Sequence, residues 1–365
     1  MKHPEIFLAI ILLFAKPLTS CRLEQPIQAE KTGSFTAAVW NVQSLFDGED
    51  TGNEYAEFRA ASGWTKEKYA ARILAIEKAV TGMIPGAAGT STPQAPDFLC
   101  LVEIENLGIL KDLANGQLAK YGYAHMYFGN AAGMSLGVGV LSRYKLTETK
   151  VHSITMNSQT IPRPLLEVHI EPEGEPLVFF LCHWKSKLGG EDATELLRQA
   201  SARVIARRIR ELQTEKPGAP VIVMGDLNEN HDEFYRRGRI SALLPDDPQA
   251  AALAAAALYD GFLILSSEKP PRTQYFDPEH PVLYTPWENE LSKGSYYFRD
   301  NWETIDHILM SAELFDNTGW DFESCKVLHF PPFTNSKGFP NYYNPGNSFG
   351  MSDHLPLLLW LSIRE

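Results

Sequence analysis

Where the apolar runs of this chain end, the next residues are polar and of few chemical kinds. Asn41 follows Trp40 at the end of one run. Glu103 and Glu105 follow FLCLV, His183 follows FFLC, and Asp226 and Asn228 follow VIVMG. Asp306 and His307 stand inside TIDHILMS, and Asp353 and His354 precede LPLLL. Carboxylates and amides are the oxygen donors that Mg²⁺ or Mn²⁺ prefers. Histidines among them exchange protons near neutral pH. Side chains two apart on a strand share a face, which puts Asp226 and Asn228 together. The set suits metal-assisted attack of water on a phosphoester. Each motif alone has an ordinary reading: Asn as a turn residue, Gly-Asp as a tight turn, Asp-His as a cap. Their recurrence at strand ends is what points to chemistry.

The elements that must position these residues are legible as runs. Strands are expected at residues 35–41, 97–102, 136–142, 165–170, 177–182, 221–224, 304–310 and 355–361. Short continuous apolar runs bounded by turn signals fit strands covered on both faces. Residues 66–83 carry Tyr69, Ile73, Ile76 and Val80 at helical spacing. Residues 194–213 form an amphipathic pattern with Arg203, Arg207 and Arg210 toward solvent, and 250–258 an alanine-rich surface helix. No repeat is present and no linker follows residue 34. One domain of packed sheets with outer helices fits.

Lys+Arg at 33 against Asp+Glu at 45 give a net charge of −12 over 365 residues. That disfavours a protein that coats nucleic acid by neutralising phosphates, but not an enzyme that grips one phosphate with a metal. At the N-terminus, Lys2 and His3 precede the apolar run 6–15, which has the size of a signal-peptide core and is too short to span a bilayer. Leu18-Thr19-Ser20-Cys21 resembles a bacterial lipobox. The resemblance implies cleavage before Cys21 and its acylation, hence an extracytoplasmic, membrane-anchored lipoprotein; an ordinary secretory signal is the alternative. The expected organisation is a signal peptide at 1–21, a tether at 22–34 and one domain at 35–365. Of the remaining cysteines, Cys100 and Cys182 lie in core-strand runs as free thiols, and no zinc spacing occurs.

The ordered set WN, LVEIEN, SR, HWKS, GDLN, TIDHILMS and SDHLP resembles the endonuclease/exonuclease/phosphatase family, which has the deoxyribonuclease I-like fold. It runs from about residue 35 to 363. The resemblance implies an α/β four-layer sandwich, two mixed β-sheets face to face flanked by helices, with the site on loops at one end. It implies that Asn41, Glu103 and Asp353 hold Mg²⁺ or Mn²⁺, with Glu103 the main ligand. Asp226 would orient or deprotonate the attacking water, Asn228 would bind the scissile phosphate, and His354, held by Asp306, would stabilise its charge. His183 would stand near the leaving oxygen. Arg143, Arg163 and Arg198 recur near such sites in relatives, whereas Glu105 fits a helix start and His307 points away.

Lys185 and Lys187 flank the His183 loop, and Arg236, Arg237 and Arg239 form a local basic patch. Trp287, Tyr296, Tyr297 and Trp302 interleave with Lys293 and Arg299, a pattern that can stack bases or pack a loop. The aromatic stretch 330–349 is expected to face substrate. The leading reading is a metal-dependent phosphodiesterase acting as a nuclease on nucleic acid, with no protein partner. A sphingomyelinase or other phospholipid or small-molecule phosphoesterase on the same fold is the alternative. A non-catalytic surface-binding lipoprotein is the reading of another class.

Overall fold

Period-2 alternation along the central strands sends successive residues to different layers. The computed structural model describes residues 33–85, 94–131, 133–156, 158–257 and 261–364; the expected signal segment, Cys21 and nearly all of the tether lie outside them. One six-stranded sheet contains β1 (Ser34–Leu45), β2 (Phe98–Ile104), β3 (His125–Gly129), β4 (Gly137–Ser142), β15 (Gly319–Val327) and β16 (Leu357–Arg364), in the order β15-β16-β1-β2-β4-β3. An eight-stranded sheet contains β5 (Glu148–Met156), β6 (Gln159–Ile170), β7 (Leu177–His183), β8 (Val221–Asp226), β9 (Leu243–Pro245), β10 (Leu263–Ser266), β11 (Val282–Tyr284) and β14 (Asp306–Met310). Its order is β5-β6-β7-β8-β14-β11-β10-β9. A separate hairpin joins β12 (Tyr296–Phe298) to β13 (Asn301–Glu303).

Phe35, Ala37 and Val39 of β1 and Phe98, Cys100 and Val102 of β2 meet Leu177, Phe179 and Leu181 of β7 and Ile222 and Met224 of β8 in one buried layer. The intervening residues Ala38, Trp40, Leu99 and Leu101 face outward, under α1 (Lys66–Val80) and α2 (Leu107–Asn115). Val178, Phe180 and Val223 pack under α3 (Glu191–Glu215). Both faces of each central strand are therefore covered, which is why these runs are apolar throughout. The result is helix, sheet, sheet, helix: the expected four-layer sandwich. Two short helices, α4 (Glu233–Arg237) and α5 (Pro248–Ala256), complete the described helices beside a small satellite core around Phe234, Ala250 and Phe262.

Strand direction delivers the polar residues to one end. β1 runs parallel to β2, and β7 parallel to β8, so Asn41, Glu103, His183 and Asp226 all lie at C-terminal ends. β14 is antiparallel to β8 and β16 antiparallel to β1, so Asp306 and the Asp353-His354 pair lie at N-terminal ends on the same edge. His183 pairs with Asp226, and Asp226 with Asp306, in register. On four strands the core row turns polar one step beyond its last apolar residue: Val39 to Asn41, Leu181 to His183, Met224 to Asp226, Ile308 to Asp306. Glu103 breaks this parity. It has φ 66°, and the ladder shifts register on both sides of it, a bulge that re-aims its side chain.

Gly225 is required by the packing here. Its φ is 148°, and a Cβ built on it would lie 2.0 Å from the Cys182 carbonyl oxygen of the neighbouring strand. The glycine of GDLN thus lets β7 and β8 approach closely enough to place His183 against Asp226.

Candidate active site

The convergent residues form a connected group. The Asn41 amide donates from Nδ2 to Glu103 Oε1 (3.1 Å) and Asp226 Oδ2 (3.0 Å), while its Oδ1 accepts the Gln43 amide (3.0 Å). Asn41 therefore ties the two carboxylates together, with its oxygen already engaged. Glu103 Oε2 accepts both the backbone N–H (2.9 Å) and the hydroxyl (3.0 Å) of Ser44. Gln43, Ser44, Glu103 and Asn228 all have left-handed φ between 51° and 66°. Such conformations cost about 1–3 kcal/mol each for non-glycine residues and gather at functional sites.

His354 donates from Nδ1 to Asp306 Oδ2 at 2.7 Å and turns Nε2 toward Asp226 Oδ2 and Asp353 Oδ1, each 3.9 Å away. Asp306 is braced by the Ser295 hydroxyl (2.6 Å), and its backbone carbonyl by the Trp287 indole N–H (3.0 Å). The Trp40 indole donates to the His354 carbonyl (3.0 Å). Burial opposes a charge on His354, but the Asp306 carboxylate overrides it and holds the imidazolium well above its ordinary pKa. His183 is buried against the Arg163 guanidinium, whose Nη1 lies 2.6 Å from Nδ1 and 3.3 Å from Nε2. Burial and that cation hold His183 well below its usual value, so it is neutral. Its Nε2 is 3.6 Å from Glu103 Oε1 and 3.8 Å from Asp226 Oδ2.

Burial, reinforced by the Asp306 and Glu103 carboxylates and opposed by His354, pushes Asp226 up to about 7. Burial also raises Asp353. A carboxylate so poised titrates where a general base for water is effective. Asn228 donates its backbone N–H to Asp226 Oδ1 (2.9 Å) and its side-chain amide to the Trp184 carbonyl (3.2 Å). The strand ends at Asp226, so Asn228 reaches the site through a left-handed turn and not through strand alternation.

The excess of buried carboxylates is the observation that decides whether a divalent cation fits. Glu103, His183 and Asp226 can each turn one ligand atom within 4.8 Å of the others, and so can Asp226, Asp306 and His354. Glu103 is the oxygen donor that would hold the ion, and the repulsion between it and Asp226 is what the ion would relieve. When bound, it supplies Lewis-acid charge at a phosphoryl oxygen. Asp353 lies near both groups but joins neither. A third group, Glu148, Glu167 and His169, is remote in the fold. There Glu167 already accepts from Arg208 Nε (2.9 Å) and Lys216 reaches His169 (2.8 Å), so cationic side chains occupy it.

Several expected binding residues are placed elsewhere. Arg143 follows β4, which is antiparallel to β2, so it sits beside Asp97 at the opposite end of the sheet, roughly 20 Å of strand from Glu103. It pairs with Asp97 Oδ1 and the Ala95 carbonyl, both at 2.7 Å. Arg198 is fully buried beneath the site, bonded to Glu229 (2.9 Å), Glu195 (2.6 Å) and the Lys185 carbonyl (3.2 Å). It fastens the loop after β7 and cannot touch substrate. Arg198→Ala should cost about 3–5 kcal/mol by denaturant unfolding, because it strands buried Glu229. KM of the protein that still folds should be unchanged. Lys185 bends onto its own loop, toward Ser186 and Leu188. The Arg236, Arg237 and Arg239 patch is neutralised by Asp232, Glu303, Glu195 and Asp192. Arg163 and Lys187 do reach the site region.

Glu105 precedes Asn106, the N-cap of α2, and His307 faces away, bonded to the Glu229 carbonyl (2.8 Å), as expected. Ser44, Ser295 and Tyr296 were not legible as site residues. A serine beside a strand carries no distinctive signal, and Tyr296 stood among other aromatics.

A double-sheet sandwich with carboxylates, amides and a carboxylate-held histidine on one edge defines a phosphoesterase fold. The chain belongs to the endonuclease/exonuclease/phosphatase family, whose model matches residues 36–275. Members are hydrolases of phosphoester bonds, and enzymes of this fold are divalent-metal dependent. Among solved structures, an endonuclease/exonuclease/phosphatase family protein from Bacteroides thetaiotaomicron is similar at 16% identity, with TM-score 0.51, covering 92% of this chain and 100% of its own. The mannosyl-6-phosphatase of the same species is similar at 16% identity, with TM-score 0.50, covering 90% and 99%. Truncated TDP2 from Caenorhabditis elegans gives 15% identity, with TM-score 0.49, covering 90% and 97%. The two Bacteroides likenesses show the fold alone. No curated protein sequence matches.

Proposed function

We propose that this chain is a divalent-metal-dependent phosphodiesterase that cleaves nucleic acid outside the cytoplasm, anchored to a membrane by lipid on Cys21. The observation that carries the reaction is the convergence of Glu103, Asp226 and the Asp306-His354 pair on one edge. The anchor rests on Leu18-Thr19-Ser20-Cys21 following a signal-type apolar run. Asp226 takes the proton of the attacking water, Asn228 and His354 bind the phosphoryl oxygens, and His183 donates a hydrogen bond near the leaving oxygen. Mg²⁺ or Mn²⁺ is the cofactor.

The purified protein, assayed on single-stranded DNA, duplex DNA, RNA and sphingomyelin, should cleave nucleic acid with Mg²⁺ or Mn²⁺. Chelator should abolish turnover and added metal restore it. Chelator-resistant cleavage would remove the metal reading. Phosphocholine release far faster than strand cleavage would move the substrate to phospholipid.

A further inference from the structure

A cleft of about 600 Å³ opens beside Asn228, walled by the loop after β7 and by the β12–β13 hairpin. On β12, Tyr296 and Phe298 are two apart and share a face. Tyr296 packs on His354, with ring centroids 4.6 Å apart, and Phe298 follows at 6.1 Å from Tyr296 with the planes 20° apart. Tyr297, on the other face, packs with Trp302 and Phe339, and Trp287 is in the core. The aromatic stretch of the sequence thus divides: Trp287, Tyr297 and Trp302 pack the core and the hairpin, while Tyr296, joined by Phe298, makes a row of rings leading out from the catalytic histidine.

Phe298 at the mouth is 48% exposed, and Leu188, on the same cleft, is 83% exposed. Arg299 lies over the Phe298 ring at 5.0 Å and forms no ion pair among the described residues. It holds φ 46° in the two-residue turn, with Asp300 at 64°, where Asn-Gly is the usual choice. The other cation, Lys187, is bonded to Glu233 (2.8 Å) and Glu191 (3.2 Å), and Glu303 to Arg236 (3.2 Å). Among the described residues the cleft therefore offers a flat apolar plate and one cation without an ion pair, and not the basic track that a duplex backbone needs.

We propose that this cleft binds the unpaired base of the nucleotide adjoining the scissile phosphate, stacked on Phe298, so that the enzyme prefers single strands. The inference rests on the nuclease reading. A base inside a duplex has both faces covered, and only an unpaired one can reach the plate.

Kinetics with oligothymidylate and with a strand of base-free tetrahydrofuran units test it. For the wild-type protein, kcat/KM should favour the base-bearing strand, and a single strand over the same sequence as duplex. Phe298→Ala should cut the base-bearing to base-free ratio about tenfold, mainly through KM, and Phe298→Trp should restore it. An unchanged ratio, or a loss that Trp does not rescue, would overturn the proposal. Binding of a labelled strand in Ca²⁺ separates the two readings. Phe298-dependent binding without cleavage in Mg²⁺ or Mn²⁺ would remove the nuclease and keep the base site. Cleavage indifferent to Phe298 would do the reverse, and neither binding nor cleavage would remove both.

Discussion

Asp306→Asn should lower kcat about 10³-fold and move the alkaline limb of the pH–rate profile to lower pH. Asparagine keeps an acceptor for His354 Nδ1 at the 2.7 Å contact but removes its charge. Burial alone would discharge His354, and Asp306 is the chief partner that keeps it cationic. Without that carboxylate the histidine pKa falls, so the cation is lost at a lower pH and the alkaline limb moves down. Asp226 stands near 7 because of burial, with Asp306 adding to the rise. The acid limb carries no such shift, because losing the Asp306 charge lowers Asp226 while losing the His354 charge raises it. His354→Ala should lose as much activity and abolish the alkaline limb. Profiles measured at saturating metal decide the matter: an unchanged alkaline limb in Asp306→Asn would mean that the pair does not set the charge of the site.

The residues that make this pair were legible because buried strands are the easiest elements to read. β1, β2, β7, β8, β14 and β16 are apolar on both faces, and the first polar residue beyond each stands out. Edge strands were not legible for the converse reason. β5 is exposed or half-buried everywhere except Ile154, β3 is half-buried along most of its length, and β15 carries Asp321, Glu323 and Lys326. Strand direction was the other hidden variable. A strand-end arginine reads the same at either end of a sheet, and only the antiparallel pairing of β2 with β4 sends Arg143 away from Glu103. Arg198 shows a different limit. Its pattern on α3 is that of any helical arginine, and its burial depends on Glu229, a partner brought close only by tertiary structure. The bulge at Glu103 inverts the alternation that would otherwise have pointed this residue at α1 and α2. Its role was legible from the family resemblance and not from periodicity.

Glu103→Gln should raise the metal concentration for half-maximal activity by at least about 10–100-fold, the loss that even an outer partner of a metal ligand produces. The substitution keeps the length of the side chain and an oxygen for the Ser44 N–H and hydroxyl, so the bulge should survive. It removes one anionic donor and turns an amide toward Asn41, whose Nδ2 already donates at that place. The other carboxylates of this edge remain, so the site is weakened and not erased, and a high Mg²⁺ concentration should recover part of the activity. Mn²⁺ binds oxygen and nitrogen donors more tightly than Mg²⁺ and should recover more. The direction for Asp226 separates this from general damage. Glu103 helps to raise that carboxyl, so Glu103→Gln should lower its apparent pKa even where kcat is restored. A variant with the parental metal midpoint would show that Glu103 is not a ligand. Its hydrogen bonds to Ser44 and Asn41 would then be its whole task, and the carboxylate that holds the ion would have to be sought in Asp226 and Asp306 instead.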